Sequence, residues 1–286
     1  MMTDIYRSAR TGLGLRQLLN PFSIVRNLWE QRDLIRQLVS REVSQRYRGS
    51  YLGVLWSFIT PLLMLLIYTF VFSVVFKARW RAEAETPTGE FALTLFAGLA
   101  AFNLFSEVMN RAPGLVLAVP NYVKKVVFPL EVLPVVAVGS ALVNSLITAG
   151  LVLVGSVLVL GHVSPTVVLL PLAYLPLILL CLGLSWFLAS LGVYIRDIGQ
   201  GIGIVVQMLF FASPVFYSPT AVPERIRGVL LANPLTLILD AFRQTLLWGE
   251  LLNWRMWIVW TTMTAAIALL GYVWFMKTKK GFADVM

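Results

Sequence analysis

Six long apolar runs constrain the fold of this chain more than any other feature. Each is long enough to cross a membrane, since about 20 helical residues rising about 1.5 Å each span roughly 30 Å of hydrocarbon. A helix satisfies its own backbone groups in lipid, whereas a transmembrane β-barrel would alternate polar and apolar residues. We therefore predict an all-α polytopic membrane protein with six transmembrane helices. The predicted spans are 52–76, 91–106, 132–160, 166–195, 198–216 and 256–276.

Composition agrees with a lipid surrounding and argues against several kinds of function. Of 286 residues, 58% are hydrophobic and 13% charged, against about 25% charged in an ordinary soluble domain. Cys181 and His162 are the single residues of their types, so the sequence predicts no disulfide, metal site or cysteine–histidine catalysis. The net charge of +9 is expected to meet lipid headgroups rather than nucleic acid, because it lies beside the spans.

The distribution of Lys and Arg predicts the orientation. Nine arginines precede residue 50, and placing the N-terminus inside puts sixteen of the 23 basic residues on the cytoplasmic side. The positive-inside rule therefore predicts a multi-pass protein of the cell inner membrane with cytoplasmic N- and C-termini. Residues 1–20 are polar and lack the apolar core of a secretory leader, so no cleavable signal peptide is expected.

Residues 1–49 are predicted to form a cytoplasmic N-terminus with an interfacial amphipathic helix, and 50–286 the transmembrane domain. Asn20 can cap this helix, and Pro21 suits its first position. Arg32 and Glu42 interrupt the apolar face, so a solvated linker is the alternative. The apolar positions that otherwise share one side are Ile24, Val25, Leu28, Ile35, Leu38, Val39 and Val43.

The prolines in two connections between spans predict additional short helices. Residues 119–134 contain three prolines, which break helices at set positions. They predict one short helix, 121–128, parallel to the membrane, with a plain basic loop as the alternative. Glu131 is expected to pair with a basic neighbour.

The apolar piece 229–248 is broken at Asn233-Pro234 and holds Asp240 and Arg243 on one helix face, so we predict re-entrant helices between spans five and six.

The residues above resemble a known family. The run from Arg32 to Phe76 is similar to the start of ABC-2 type permeases that export O-antigen, capsule or teichoic acid polysaccharides, and the similarity continues at intervals to Met276. The residues that carry it are Arg46, Tyr47, Arg48, Ser50, Leu52, Gly53, Leu55, Trp56 and Pro61, then Lys124, Lys125, Phe128, Pro129, Glu131 and Pro134, and later Tyr194, Arg196, Asp197, Ile198, Asn233 and Pro234.

The resemblance implies the ABC-2 permease fold and a division of labour between chains. Such permeases are homodimers that pair with two separate ATP-binding cassette subunits. The short helix would be a coupling helix seated on the ATPase, with its contacts made by Asn121, Tyr122, Lys124, Lys125 and Phe128. No GxxxxGK[ST] phosphate loop occurs in this sequence, so ATP and Mg²⁺ are expected on the partner, with no cofactor and no enzymatic activity in this chain. Gly199, Gly201 and Gly203 are interpreted as close helix packing.

The implied cargo is a polysaccharide on a polyprenyl diphosphate, and it suggests two sets of binding residues. Arginine can grip phosphate oxygens with two nitrogens, although anchoring to phospholipid is the alternative; the candidates are Arg36, Arg41, Arg46 and Arg48. Aromatic faces can stack on sugar rings, although packing or interfacial anchoring is the alternative. The candidate channel aromatics are Tyr68, Phe72, Phe76, Phe210, Phe211, Phe216 and Tyr217.

Other functions fit the sequence less well. An ABC-2 permease for a small drug or a lipid shares the fold and the partner but needs no sugar-lined path. A membrane enzyme would need clustered polar catalytic groups, and the chain has one histidine. A proton- or sodium-coupled transporter usually needs charges at mid-span, which are nearly absent here.

Overall fold

The computed structural model describes residues 20–46, 51–76, 80, 89–124 and 128–286. The regular structure in these ranges is helical throughout. The α-helices are α1 (Pro21–Glu30), α2 (Arg32–Arg46), α3 (Trp56–Tyr68), α4 (Glu90–Arg111), α5 (Pro120–Lys124), α6 (Val132–Leu160), α7 (Leu170–Tyr194), α8 (Ile198–Ala212), α9 (Glu224–Ala232), α10 (Pro234–Arg243), α11 (Trp254–Thr278) and α12 (Phe282–Val285). Wider π-helical turns extend α3 through Thr69–Val75 and α10 through Gln244–Trp248.

The membrane-spanning helices confirm an all-α polytopic membrane protein. Four helical stretches have the length and apolarity to cross a bilayer: Glu90–Gly114, Val132–Leu160, Pro165–Tyr194 and Trp254–Val285. The first and fifth expected spans are shorter apolar helices, Trp56–Phe72 and Ile198–Ala212. The total of six spans therefore stays a prediction.

Several predicted boundaries move for local reasons. The fifth span was expected to reach residue 216, but α8 ends at Ala212 because Ser213 is extended, as residues before proline tend to be. The first begins at Trp56 rather than residue 52, after a turn in which Gly53 has a φ of 50°. The second was expected to continue past residue 106 as a weaker tail through Glu107 and Arg111, and it is helical to Arg111. This extension keeps Glu107 and Arg111 one helical turn apart and paired.

The N-terminal segment that was predicted to be interfacial forms two helices instead of one. The Asn20 side chain accepts a hydrogen bond from the Phe22 amide at 3.0 Å, and Pro21 occupies the first turn of α1. The helix ends at Gln31, and the Arg32 side chain donates to the Trp29 carbonyl at 3.1 Å across the turn. The helix is therefore interrupted at Gln31, next to the Arg32 that interrupts the apolar face.

Helix α4 is the centre of the bundle. Most of its residues are buried, and it packs against α6, α7, α8 and α10. Helices α7 and α11 cross closely where two glycines meet: a Cβ added at Gly271 would lie 2.1 Å from the Gly183 carbonyl oxygen. A side chain at that crossing would force the two backbones apart.

The bundle has two ends, which we define by their helices. The proximal face holds α1, α2, α5 and the end of α11. The distal face holds α9 and α10, which connect the end of α8 to the start of α11. The break predicted in this connection lies at Asn233, whose side chain accepts from the Leu235 amide at 3.0 Å and begins α10. Helix α10 then packs on α4 and α7.

Candidate functional site

The predicted channel aromatics of α3 and α8 come together in one cluster. The rings of Phe72 and Phe216 stack with centroids 5.8 Å apart, and those of Phe210 and Phe216 meet edge-to-face at 4.9 Å. We call the set the aromatic cluster: Tyr68, Phe72, Phe76, Phe210, Phe211 and Phe216. Tyr217 adjoins it, because its hydroxyl donates to the Phe211 carbonyl at 3.1 Å. Two predicted spans that are distant in sequence thus share one aromatic surface.

Part of this surface is open. Phe76 is 66% exposed and Phe211 is 62% exposed. On the inner side, Phe91 lies 5.6 Å from Phe72, and Phe102 lies 4.9 Å from Phe210, measured between ring centroids. The sequence prediction missed these two α4 residues. Their spacing of eleven, about three helical turns, puts them on one face and was an available signal.

The predicted arginine set divides between exposed and paired positions. Arg36 and Arg41 are exposed on α2. Arg46 is instead held by Glu107 of α4: Nη1 lies 3.2 Å from Oε2, and a shorter contact joins Nη2 to Oε1. Arg48 lies outside the described residues. The Arg46 guanidinium is thus paired within the chain, and its role as a phosphate ligand stays a prediction.

Glu107 belongs to a larger charged group that the sequence prediction missed. Arg111 Nη1 lies 2.5 Å from Glu42 Oε1 and 3.5 Å from Glu107 Oε1. We call Glu42, Arg46, Glu107 and Arg111 the arginine–glutamate cluster. Glu107 and Arg111 sit four residues apart at the end of an apolar span, which was a usable signal.

Two polar side chains of α6 complete this cluster. Arg111 Nη1 donates to Ser140 Oγ at 3.1 Å, and Ser140 in turn donates to Glu42. Asn144 Nδ2 donates to Glu107 Oε2 at 3.1 Å. The group therefore ties α2 to both α4 and α6 at the proximal face.

The predicted coupling residues lie at the proximal face, on a helix with different bounds. Helix α5 is described over Pro120–Lys124, and residues 125–127 lie outside the described part of the chain. The predicted end at residue 128 is not reached, because Phe128 is non-helical, as the following proline favours. The rings of Tyr122 and Phe128 stack with centroids 4.6 Å apart. Asn121 is exposed. Lys125 and the side chain of Lys124 lie outside the described part of the chain.

Glu131 has the basic partner that the sequence predicted. Lys279 Nζ lies 2.6 Å from its Oε2, and the side chain of Asn27 donates to its Oε1 at 3.4 Å. Asn27 also donates to the Tyr272 hydroxyl at 3.1 Å. Glu131, a few residues after α5 in the sequence, therefore connects the start of α6 to helix α1 and to the end of α11.

Arg243 fixes the distal segment. Its side chain is 0% exposed, and it pairs at 3.1 Å with Asp240, which the sequence predicted to share its helix face. The guanidinium also donates to the carbonyls of Thr94 at 3.2 Å, Pro214 at 2.7 Å and Val215 at 3.2 Å. Helix α10 is thus bonded to α4 and to the segment after α8.

The glycines at the start of α8 do not pack as expected within this chain. A Cβ at Gly199 or Gly201 would meet nothing within 4 Å, and one at Gly203 would reach only Asn110 Oδ1 at 3.6 Å. The close packing predicted for this glycine face therefore has no counterpart inside one described chain.

Similarity to known proteins covers both clusters. A family profile described as ABC-2 type transporter matches residues 33–247. The O-antigen export system permease protein RfbA of Myxococcus xanthus is 31% identical over 222 residues, 77% of this chain and 82% of that protein. An RfbA of Klebsiella pneumoniae is 26% identical over 258 residues, 89% of this chain and 95% of that protein. The polysialic acid transport protein KpsM of Escherichia coli is 24% identical over 251 residues, 84% of this chain and 93% of that protein.

The profile match begins in α2 and ends in the turn after α10, so it contains the aromatic cluster, the arginine–glutamate cluster and α5. It spans well over half of the chain and agrees with its helical, membrane-spanning architecture. The chain belongs to the ABC-2 type transporter family.

Proposed function

We propose that this chain is the membrane subunit of an exporter for a polysaccharide carried on polyprenyl diphosphate. The observation that carries the proposal is similarity along most of the chain to permeases named for O-antigen and polysialic acid export. The aromatic cluster supports it, since stacked, partly exposed rings suit sugar faces. A permease for a small drug or lipid is the second candidate, because the family and the fold would be the same.

The proposed energy source is ATP hydrolysis on two separate ATP-binding subunits, which also hold the Mg²⁺. The permease would be a homodimer that performs no bond chemistry. The open glycine face of α8 supports pairing with a second copy, because small residues let helix backbones approach closely. The Tyr122–Phe128 stack at the proximal face is suited to receive the ATPase.

The proposed loading site lies on α2. Arg36 and Arg41 present exposed guanidinium groups, which can hold phosphate oxygens through paired hydrogen bonds. The proximal face would then be cytoplasmic, with the N- and C-termini on that side of the inner membrane, in agreement with the basic residues near it. The sugar chain would leave past the aromatic cluster toward the distal face.

Removing the ATP source tests the proposed function. We expect deletion of the gene for the cognate ATP-binding subunit to leave completed glycan on the cytoplasmic side, detected by surface labelling with and without permeabilisation. Normal surface glycan would contradict the proposal. Intact glycan display together with loss of drug efflux or lipid export would favour the second candidate.

Charge reversal in the coupling segment tests its assignment. We expect Lys124→Glu with Lys125→Glu to abolish at least about nine-tenths of export while the dimer still forms, because reversed charges repel an acidic groove on the ATPase. Export and ATP hydrolysis would be measured in the same vesicles. Arg225→Glu, an exposed α9 position on the distal face, is the matched control. Unchanged export in the double variant would remove α5 from the coupling path.

A further inference from the structure

The arginine–glutamate cluster carries an inference about how loading is sensed, which rests on the proposed function. We propose that it is an exchange site, at which the diphosphate of the lipid carrier displaces Glu42 and Glu107 from Arg46 and Arg111. The displacement frees α2 from α4 and α6. The cluster is thus a ligand site and also a latch, by which we mean a set of contacts that holds α2 on α4 and α6 until the ligand binds.

The geometry of Arg46 suits such an exchange. Two of its nitrogens face the two oxygens of Glu107, and the same two-pronged arrangement accepts two oxygens of a phosphate. The side chains of Arg46 and Glu107 are 33% and 23% exposed. An anion arriving from the headgroup layer can therefore reach the pair.

Arg111 adds the second guanidinium. It holds Glu42 at 2.5 Å and contacts Glu107 at 3.5 Å, so each carboxylate depends on at least one of the two arginines. Among the described side chains, these two arginines and two glutamates balance in formal charge. A diphosphate with about two negative charges can replace the carboxylates without changing that balance.

Charged contacts across the cluster help to hold α2 on α4, beside its packing on α6. No α2 side chain is fully buried. Glu42 and Arg46 lie on α2, whereas Glu107 and Arg111 lie on α4. Once a diphosphate occupies the guanidinium groups, Glu42 loses its arginine and keeps the Ser140 hydroxyl, a neutral donor that compensates its charge less well. Only such differential contacts can shift an equilibrium between docked and released α2.

One close contact provides a reporter of docked α2. A Cβ built at Gly139 lies 3.9 Å from the Cβ of Val39, within the range of about 3.5–4.5 Å that a disulfide requires. The native Cys181 is buried and does not compete. Formation of a disulfide in Val39→Cys with Gly139→Cys therefore measures the docked population.

The decisive experiment follows this disulfide under mild oxidation. The full chain would be prepared with its co-purifying subunits in phosphatidylcholine nanodiscs. We expect farnesyl diphosphate to slow cross-linking by at least about threefold, the shift of a population that loses its docked state. Farnesol and added phosphatidylglycerol should leave the rate within about 1.5-fold. An unchanged rate with farnesyl diphosphate, or an equal response to phosphatidylglycerol, overturns the exchange site.

Substitutions of the carboxylates test the latch itself. Glu42→Gln with Glu107→Gln should slow cross-linking without any lipid and abolish the response to farnesyl diphosphate. The matched control is Glu30→Gln, which breaks the exposed Arg26–Glu30 pair at 2.9 Å on α1 and should behave as the parent. Fast, responsive cross-linking in the double glutamine variant contradicts the latch.

A reversible lock provides a second measurement that does not depend on those substitutions. The oxidised cysteine pair should block glycan export, and dithiothreitol should restore it, while Val39→Cys alone exports under both conditions. Export through the locked form overturns the requirement for α2 release. If the diphosphate response is present but no glycan is exported, the proposed function fails and the exchange site stands.

Discussion

At the scale of single residues, Arg243 shows how this fold accommodates a buried charge. Its donors reach Asp240 and three backbone carbonyls, and its guanidinium carbon lies 4.2 Å from the ring centroid of Trp80. Gly98 makes room for it, because a Cβ there would meet Nη2 at 2.6 Å. The charge is thus solvated by the protein instead of by water.

Removing that charge should destabilise the protein. We expect Arg243→Met to cost about 3–5 kcal/mol of folding free energy, because Asp240 and the carbonyls lose their donor. The measurement is thermal unfolding in detergent, with Arg225→Met on the exposed face of α9 as the control. Equal melting temperatures for the two variants would mean that the Arg243 contacts contribute little.

Ion pairs could be predicted where the two residues are near in sequence, but not where tertiary packing brings distant residues together. Asp240 and Arg243 are three apart, so their pairing was predictable from helix geometry. Arg46 and Glu107 are 61 residues apart, and nothing in their local sequence indicates that α2 docks on α4. The Arg46–Glu107 pair was therefore not predictable, and the binding role of Arg46 stays a prediction.

At the scale of helices, the apolar runs predicted the positions of the long spans, and proline residues influence where helices end. The third span, α6, was predicted with its observed bounds. The end of α8 shifted because the Pro214 ring acts on Ser213. The break of the N-terminal segment at Gln31 was missed, since Arg32 and Glu42 were interpreted as flaws in one helix rather than as a turn and an ion pair.

The crossing of α7 and α11 should tolerate no added side chain. We expect Gly271→Ala to destabilise the protein by about 1–3 kcal/mol, because its Cβ would overlap the Gly183 backbone. Gly228→Ala on α9, where a Cβ meets nothing within 4 Å, should be neutral or stabilising by up to about 1 kcal/mol. Melting temperatures of the two variants compare them directly, and a neutral Gly271→Ala would argue that these helices separate easily.

At the scale of the whole molecule, orientation is the prediction that every functional assignment requires. We expect a cysteine at Ala221, exposed at the distal face, to react with an impermeant maleimide in intact cells. A cysteine at Ala283, exposed at the proximal face, should react only after permeabilisation. Native Cys181 is buried and provides a silent background. Labelling in the reverse pattern would invert the topology.

The bonds of Arg243 also have a consequence for biosynthesis. Its carbonyl acceptors at residues 94, 214 and 215, and its carboxylate partner at residue 240, all precede it in the chain. A ribosome therefore synthesises this buried cation after the acceptors described for it. Any nascent chain that stops short of this arginine leaves α4 and the distal segment unfastened.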